Sequence, residues 1–268
     1  MENLPQTLLE AVRYFADLDT CHAYMKKIKW PDGKIICPYC GSDKIGEVKT
    51  RRLIRCKDCR KQISVKVGTI FEDSPLGLDK WFVAVWSIAN SKNGISSHEL
   101  GWALGVTQKT AWFMLHRIRE AMKTGTFARL RGPVESDETF VGGEARNMHD
   151  AKREAKIRGR GAVGKAIVHG ILERGGEVRA EVVPNTESAT LLPIIRRQVE
   201  SGAEIFTDAN PSYGLLCMTH CHAAIDHAIE YVRGLIHTNG MENFWCLLKR
   251  TIKGTYVAVA DFHLGRYV

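Results

Sequence analysis

The 268-residue sequence has no apolar run long enough to cross a bilayer. The longest candidate, Trp81 to Ala89, falls far short of the ~18–20 residues required. The first residues, Met1-Glu-Asn-Leu-Pro5, lack a basic region followed by an apolar one, so no export signal is read there and a cytosolic location is expected. No glycine-rich loop follows a predicted strand in the way that cradles phosphates, which argues against a nucleotide cofactor. Acidic residues are in deficit: 38 Lys and Arg face 30 Asp and Glu, giving a net charge of +8 and an isoelectric point near 9.1. That balance favours a polyanionic partner, nucleic acid first. With 44% hydrophobic and 25% charged residues, the chain can bury a sizeable core and hold two or three small domains, which excludes disordered and fibrous classes.

The eight cysteines read as metal ligands or buried thiols rather than as a disulfide framework, because the chain is long and carries no export signal. Four of them fall in two knuckles, Cys37-Pro-Tyr-Cys40 and Cys56-Lys-Asp-Cys59, with fifteen residues between the pairs. Each knuckle can place two thiolates on one tetrahedral ion, and four such ligands leave no open position, so a structural zinc is expected. Arg51, Arg52, Arg55, Lys57, Arg60 and Lys61 surround the second knuckle. They suit either phosphate contact or a solvated charged surface. Before the ribbon, residues 4–29 carry apolar positions at helical spacing up to the turn Trp30-Pro-Asp-Gly33.

After the ribbon, Leu78 to Asn90 reads as a buried helix. Ser96 with Glu99 three residues later forms a capping-box signature for a helix that runs to Leu104. Gly105-Val-Thr107 makes a turn, and Ala111, Trp112, Leu115, Ile118 and Met122 define a second helix. This outline fits a DNA-binding helix-turn-helix as well as two ordinary packed helices. In the first case Gln108, Lys109 and Thr110 would meet base edges, with His116, Arg117 and Arg119 further along.

Beyond Gly132-Pro133 the hydrophobic period changes. Strands are expected at 134–141, 166–172, 178–183 and 203–208, the second and third joined through Gly175-Gly176, with a helix over about 188–200 and another over 240–251. Residues 217–225 give no clear pattern. The basic segment 144–165, with seven Lys or Arg against three Asp or Glu, suggests a mobile loop whose Arg158, Arg160 and Lys165 could meet DNA. Three strands, a helix, a strand and a later helix suit an α/β fold of the ribonuclease-H-like kind. Asp137 in the first strand, Asp208 closing the fourth and Glu242 in the later helix are each flanked by apolar residues, so all three could project into one pocket. Clustering these negative charges is unfavourable without hard divalent cations, and two Mg²⁺ or Mn²⁺ ions held this way support phosphoryl transfer. Lys249, two helical turns after Glu242, would steady that carboxylate or grip a phosphate. Cys217-Met-Thr-His-Cys-His222 looks like a metal cluster but lacks a good partner pair, and His237 suits phosphate contact or packing equally.

These residues carry a resemblance that spans nearly the whole chain. Trp30-Pro-Asp-Gly33 with the first knuckle, Gly68-Thr-Ile-Phe71 with Lys80-Trp-Phe82, Asp137-Glu-Thr-Phe-Val-Gly-Gly143, Phe206-Thr-Asp208 with Tyr213, and His237-Thr-Asn-Gly-Met-Glu-Asn-Phe-Trp-Cys-Leu-Leu-Lys-Arg250 with Gly254-Thr-Tyr256 occur in order. Together they resemble bacterial insertion-sequence transposases of the DDE class, in particular the ISXO-like group. The resemblance implies a zinc ribbon before a ribonuclease-H-like transposase domain. It also implies a metal-binding triad of Asp137, Asp208 and Glu242 followed by Lys249, with Asn239 the alternative third ligand because some relatives use asparagine there. The expected organisation is a helical lead-in and ribbon over 1–72, a helix-turn-helix region over 73–130 and a mixed-sheet catalytic domain over 131–268. Family members usually continue into a further helix, so the last domain reads as C-terminally truncated. The implied function is binding of an element's terminal inverted repeats, then metal-dependent DNA cleavage and strand transfer by a homodimer or higher oligomer on double-stranded DNA. The alternatives are an inactive or domesticated copy acting as a DNA-binding regulator, and a ribonuclease-H-like nuclease without strand transfer.

Overall fold

Two contact-dense units, Met1–Thr124 and Gly125–Val268, divide the chain in the computed structural model. The structure describes residues 4–122, 128–143, 150, 164–226, 229 and 232–268. Among the described residues no helix is long and apolar enough to cross a membrane.

The first unit opens with helices α1 (Leu8–Phe15) and α2 (Leu18–Lys29). The helical lead-in is thus a pair of helices. The chain leaves helical geometry at Asp17, whose carboxylate accepts from the Asp19 and Thr20 N–H groups and caps α2. A three-stranded antiparallel sheet follows, β1 (Ile45–Val48), β2 (Leu53–Cys56) and β3 (Gln62–Ile63), with β2 in the centre. Helices α3 (Leu78–Asn90), α4 (Ser97–Leu104) and α5 (Gln108–Met122) complete the unit. Ser96 and Glu99 make the reciprocal capping box at the start of α4. Gly105 ends α4 in the left-handed conformation (φ 60°) that lets the chain turn directly into α5. The lead-in helices, the ribbon and α3–α5 share one core: Phe15 and Met25 meet Ile54 and Ile63 of the ribbon and Leu78, Trp81, Leu100 and Leu115 of the later helices.

The second unit is a five-stranded mixed sheet in the order β6-β5-β4-β7-β8, where β4 is Val134–Val141, β5 Ala166–Glu173, β6 Val178–Val183, β7 Glu204–Asp208 and β8 Cys221–Ile225. β4, β5 and β6 are antiparallel neighbours, whereas β7 lies parallel to β4 and β8 parallel to β7. Helix α6 (Ser188–Gln198) packs on one face with the 3₁₀ segment Pro211–Met218, burying Val134, Ile171, Leu191, Ile195, Ile205 and Tyr213. Helix α7 (Asn239–Thr251) covers the other through Met241, Trp245 and Leu248, and the short α8 (Asp261–Leu264) joins it by Leu264. This is the ribonuclease-H-like α/β arrangement. The indistinct stretch 217–225 resolves into the end of the 3₁₀ segment and strand β8.

Candidate functional site: a carboxylate cluster and a four-thiol centre

Residues two apart on a strand share a face, so Glu135 and Asp137 of β4 point towards α7 while Ser136 and Glu138 point towards Tyr213. β7 pairs with β4 at Val134↔Ile205 and Glu135↔Phe206. Continuing that register sets Asp208, the last residue of β7, level with Asp137. Carboxylate oxygens of Asp137, Glu138 and Asp208 lie within 4.8 Å of one another. Each is held by its own partner. The Trp245 indole N–H of α7 donates to Asp137 Oδ2 at 2.9 Å, the buried Tyr213 hydroxyl donates to Glu138 Oε1, and Asp208 Oδ1 accepts the Asn210 N–H at 3.1 Å.

The electrostatics fit a site built for cations. Burial lifts the Asp137 carboxyl to about 6, with the charges of Asp208 and Glu242 pushing the same way against the hydrogen bonds from the Glu138 backbone and Trp245. Burial lifts Glu138 to about 7, opposed by the Tyr213 hydrogen bond and reinforced by Asp208 and Asp137. Below the sheet, Ser136 Oγ meets His169 Nε2 at 2.9 Å, and burial holds that imidazole down to about 4, so it is neutral. Three carboxylates at this separation fit a hard divalent ion with oxygen ligands.

Glu242 and Lys249 lie on the exposed side of α7. Glu242 is close enough to Asp137 to act on its ionisation but stands outside the 4.8 Å cluster, and Asn239 begins the same helix in an exposed position. Glu138 is the residue that sequence reasoning missed. Its signal was an acidic residue beside Asp137 in a strand buried on both faces. Trp245 and Tyr213 both lay inside quoted motifs, yet no spacing rule tied either to a carboxylate.

In the first unit, the four predicted cysteines come together: Cys37 Sγ lies 3.7 Å from Cys59 Sγ and Cys40 Sγ 3.6 Å from Cys56 Sγ. Four sulfurs at about 2.3 Å from a tetrahedral ion stand about 3.8 Å apart along each edge, so the cage fits zinc. Both knuckles use the same turn: Gly41 and Arg60, each directly after the second cysteine, adopt positive φ of 71° and 59°. By contrast Cys217, Cys221 and Cys246 are exposed free thiols, and the close ligand groups among the described residues are the four-thiol set and the carboxylate cluster.

Two guanidiniums expected to face DNA do not point outward. Arg119 is buried at 8% exposure, and Arg117 donates to the Ile70 and Glu72 carbonyls and stacks on Phe113. Arg119 lies on the buried side of α5, whereas Arg117 is half-buried. Gln108 and Lys109 are exposed and Thr110 half-buried at the start of α5. Lys165 is half-buried beside Gly142, and Arg158 and Arg160 lie outside the described residues.

Residues 129–268 match the ISXO2-like transposase domain, and residues 17–62 match the transposase zinc-ribbon domain. The chain belongs to the ISXO2-like transposase family. A relative described as an uncharacterized protein in transposable element ISH50 of Halobacterium salinarum is 30% identical over 241 residues, covering 84% of this chain and 80% of that protein. An uncharacterized transposase-like protein of Haemophilus influenzae is 38% identical over 78 residues, 29% of this chain and 63% of its own length. The transposase domain and the zinc ribbon thus coincide with the carboxylate cluster and the four-thiol centre.

Proposed function

We propose that this ISXO2-like transposase binds the terminal inverted repeats of its element and catalyses divalent-metal-dependent DNA cleavage and strand transfer, with Asp137 and Asp208 as the fixed metal ligands. The observation that carries the reading is the register that sets the end of β7 beside Asp137, bringing carboxylates from two parallel strands into one half-buried cluster. Divalent cations bound there supply an activated water or 3′-hydroxyl and neutralise the leaving oxygen. The chain's own residues do the rest. Trp245 restrains one oxygen of Asp137, Tyr213 holds Glu138 towards Asp208, and Glu242, at the first turn of α7, would be the third ligand with Asn239 beside it. Lys249, on the same exposed side of α7 as Glu242, holds a DNA phosphate.

Zinc holds the ribbon. Its basic rim and the Gln108, Lys109 and Thr110 end of α5 are the proposed end-recognition surfaces, within segments 1–72 and 73–130, while 131–268 carries the chemistry. Lys165, Arg158 and Arg160 would add phosphate contacts, and joining two ends calls for a dimer or larger assembly on DNA. The test is joining of labelled DNA carrying the element's own ends in Mg²⁺ or Mn²⁺, with Asp208→Ala beside the wild type. Joined product that vanishes in the variant supports the reading. Tight, salt-sensitive binding with no cleavage by the wild type overturns it in favour of a DNA-binding regulator, and cleavage without joining in favour of a nuclease.

A further inference from the structure

A buried carboxylate that takes no place in the cluster stands one strand repeat away from it. Glu135 is 1% exposed, on the same face of β4 as Asp137. Its Oε1 accepts from Arg174 Nε at 2.8 Å and lies 3.3 Å from His237 Nδ1, and its Oε2 accepts the backbone N–H of Met241 at 3.0 Å. Arg174 is itself fully directed. It donates to the Leu235 and His237 carbonyls at 2.8 and 2.9 Å, and its guanidinium lies 4.5 Å over the ring of Phe206, the residue paired with Glu135 across the sheet.

The carboxylate meets α7 where that helix most needs an acceptor. Thr238, the residue before α7, makes no capping hydrogen bond with its side chain. The first N–H groups of a helix need an outside partner, and a negative charge there is favoured by the helix dipole. Glu135 supplies both from the sheet. The fit is close: a Cβ on Gly240 would stand 2.8 Å from Glu135 Oε2 and 2.3 Å from Leu172 Cδ2, so any side chain there must push both of those side-chain ends aside.

We infer that Glu135 is a positioning residue, a helix cap delivered from β4 that fixes the first turn of α7, and with it Glu242 and Asn239, against the strand that carries Asp137. The inference rests on the proposed metal site for its catalytic meaning, but not for its structural one. Arg174 and His237 hold the carboxylate in place, and Trp245 fastens the next turn of the same helix to Asp137 itself.

The test uses the full-length, zinc-loaded chain with two readouts, hydrogen exchange of the Met241 amide and Mn²⁺ affinity by titration. In Glu135→Gln the one remaining oxygen stays with the Arg174 guanidinium and the NH₂ group turns to the Met241 N–H, so the variant is expected to speed exchange at Met241 at least tenfold and to weaken Mn²⁺ binding about tenfold, while amides of the β4–β5 ladder keep wild-type protection; a merely structural role would lower protection throughout the sheet. Gly240→Ala, which keeps the Glu135 charge and its ion pair, is expected to produce the same pattern and serves if Glu135→Gln does not fold. Wild-type exchange at Met241 in a folded variant overturns the inference, as does loss spread evenly over the sheet. If the wild type shows no Asp208-dependent Mn²⁺ binding, the metal-site reading fails, and exchange at Met241 still decides this inference alone.

Discussion

Neutralising Asp137 should stabilise the chain that it disarms. In the folded protein without divalent ions this carboxyl titrates near 6 instead of its ordinary 3.8, chiefly because it is buried. The sign follows from linkage. A carboxyl whose folded value is raised contributes its stability fully below about pH 4, where it is protonated in both states, and loses it as pH rises through about 6. Above pH 7 the accumulated cost is about 3 kcal/mol, at 1.36 kcal/mol per pH unit of separation. Asp137→Asn removes that cost. Its amide oxygen still accepts from the Trp245 indole, and its NH₂ group faces the charge of Asp208. For a unit the size of Gly125–Val268, 3 kcal/mol corresponds to a rise of about 10 °C in Tm. Calorimetry of the zinc-loaded protein without other divalent ions should show the variant melting higher at pH 8 and level with the wild type at pH 4. Adding Mn²⁺ should then stabilise the wild type and not the variant. A variant that melts lower than the wild type at pH 8, or a gap that does not close in acid, would refute the reasoning.

Other outcomes follow from the same geometry. Mn²⁺ affinity should rise between pH 5.5 and 8, as Asp137 and Glu138 release their protons near 6 and 7 and cease to compete with the metal, an increase that titrations at two pH values would detect. Cys56→Ser should abolish tight zinc binding and melt the first unit early, because Cys37 and Cys56 belong to the same buried core as Trp81 and Leu115; circular dichroism with a zinc indicator reads both effects. Lys109→Ala should lower the salt dependence of binding to end DNA by about 0.9 in log–log slope, whereas Arg119→Ala should lower Tm without changing that slope, since its guanidinium is buried.

How far the sequence could be read depended on whether the deciding signal was local. Helix α3, the Ser96–Glu99 box, the Gly105 turn and the strands of the central sheet were legible because hydrophobic period, caps and positive-φ glycines are written into adjacent residues. The two cysteine knuckles were legible for the same reason. The break at Asp17 was not, because a single capping carboxylate interrupts an apolar pattern that continues in phase on both sides. Strand β8 was hidden by its short, weakly patterned segment, which is a strand only because β7 offers it an edge. Among the site residues, Asp137 and Asp208 stood out by their apolar flanks. The part played by Glu138 is visible only once Tyr213 and the β4–β7 register bring it to the cluster. Arg119 shows the opposite error: a basic residue on a helix is not an exposed one when the helix is buried on most of its circumference.

The most direct test of the account is to locate the metal. Crystals of the full-length chain soaked in Mn²⁺ should give an anomalous scattering peak between the carboxylates of Asp137 and Asp208, with Glu242 drawn in to complete the ligand set and no peak in crystals of Asp208→Ala. Mn²⁺ bound elsewhere, or an empty space between Asp137 and Asp208 at saturating metal, would contradict it.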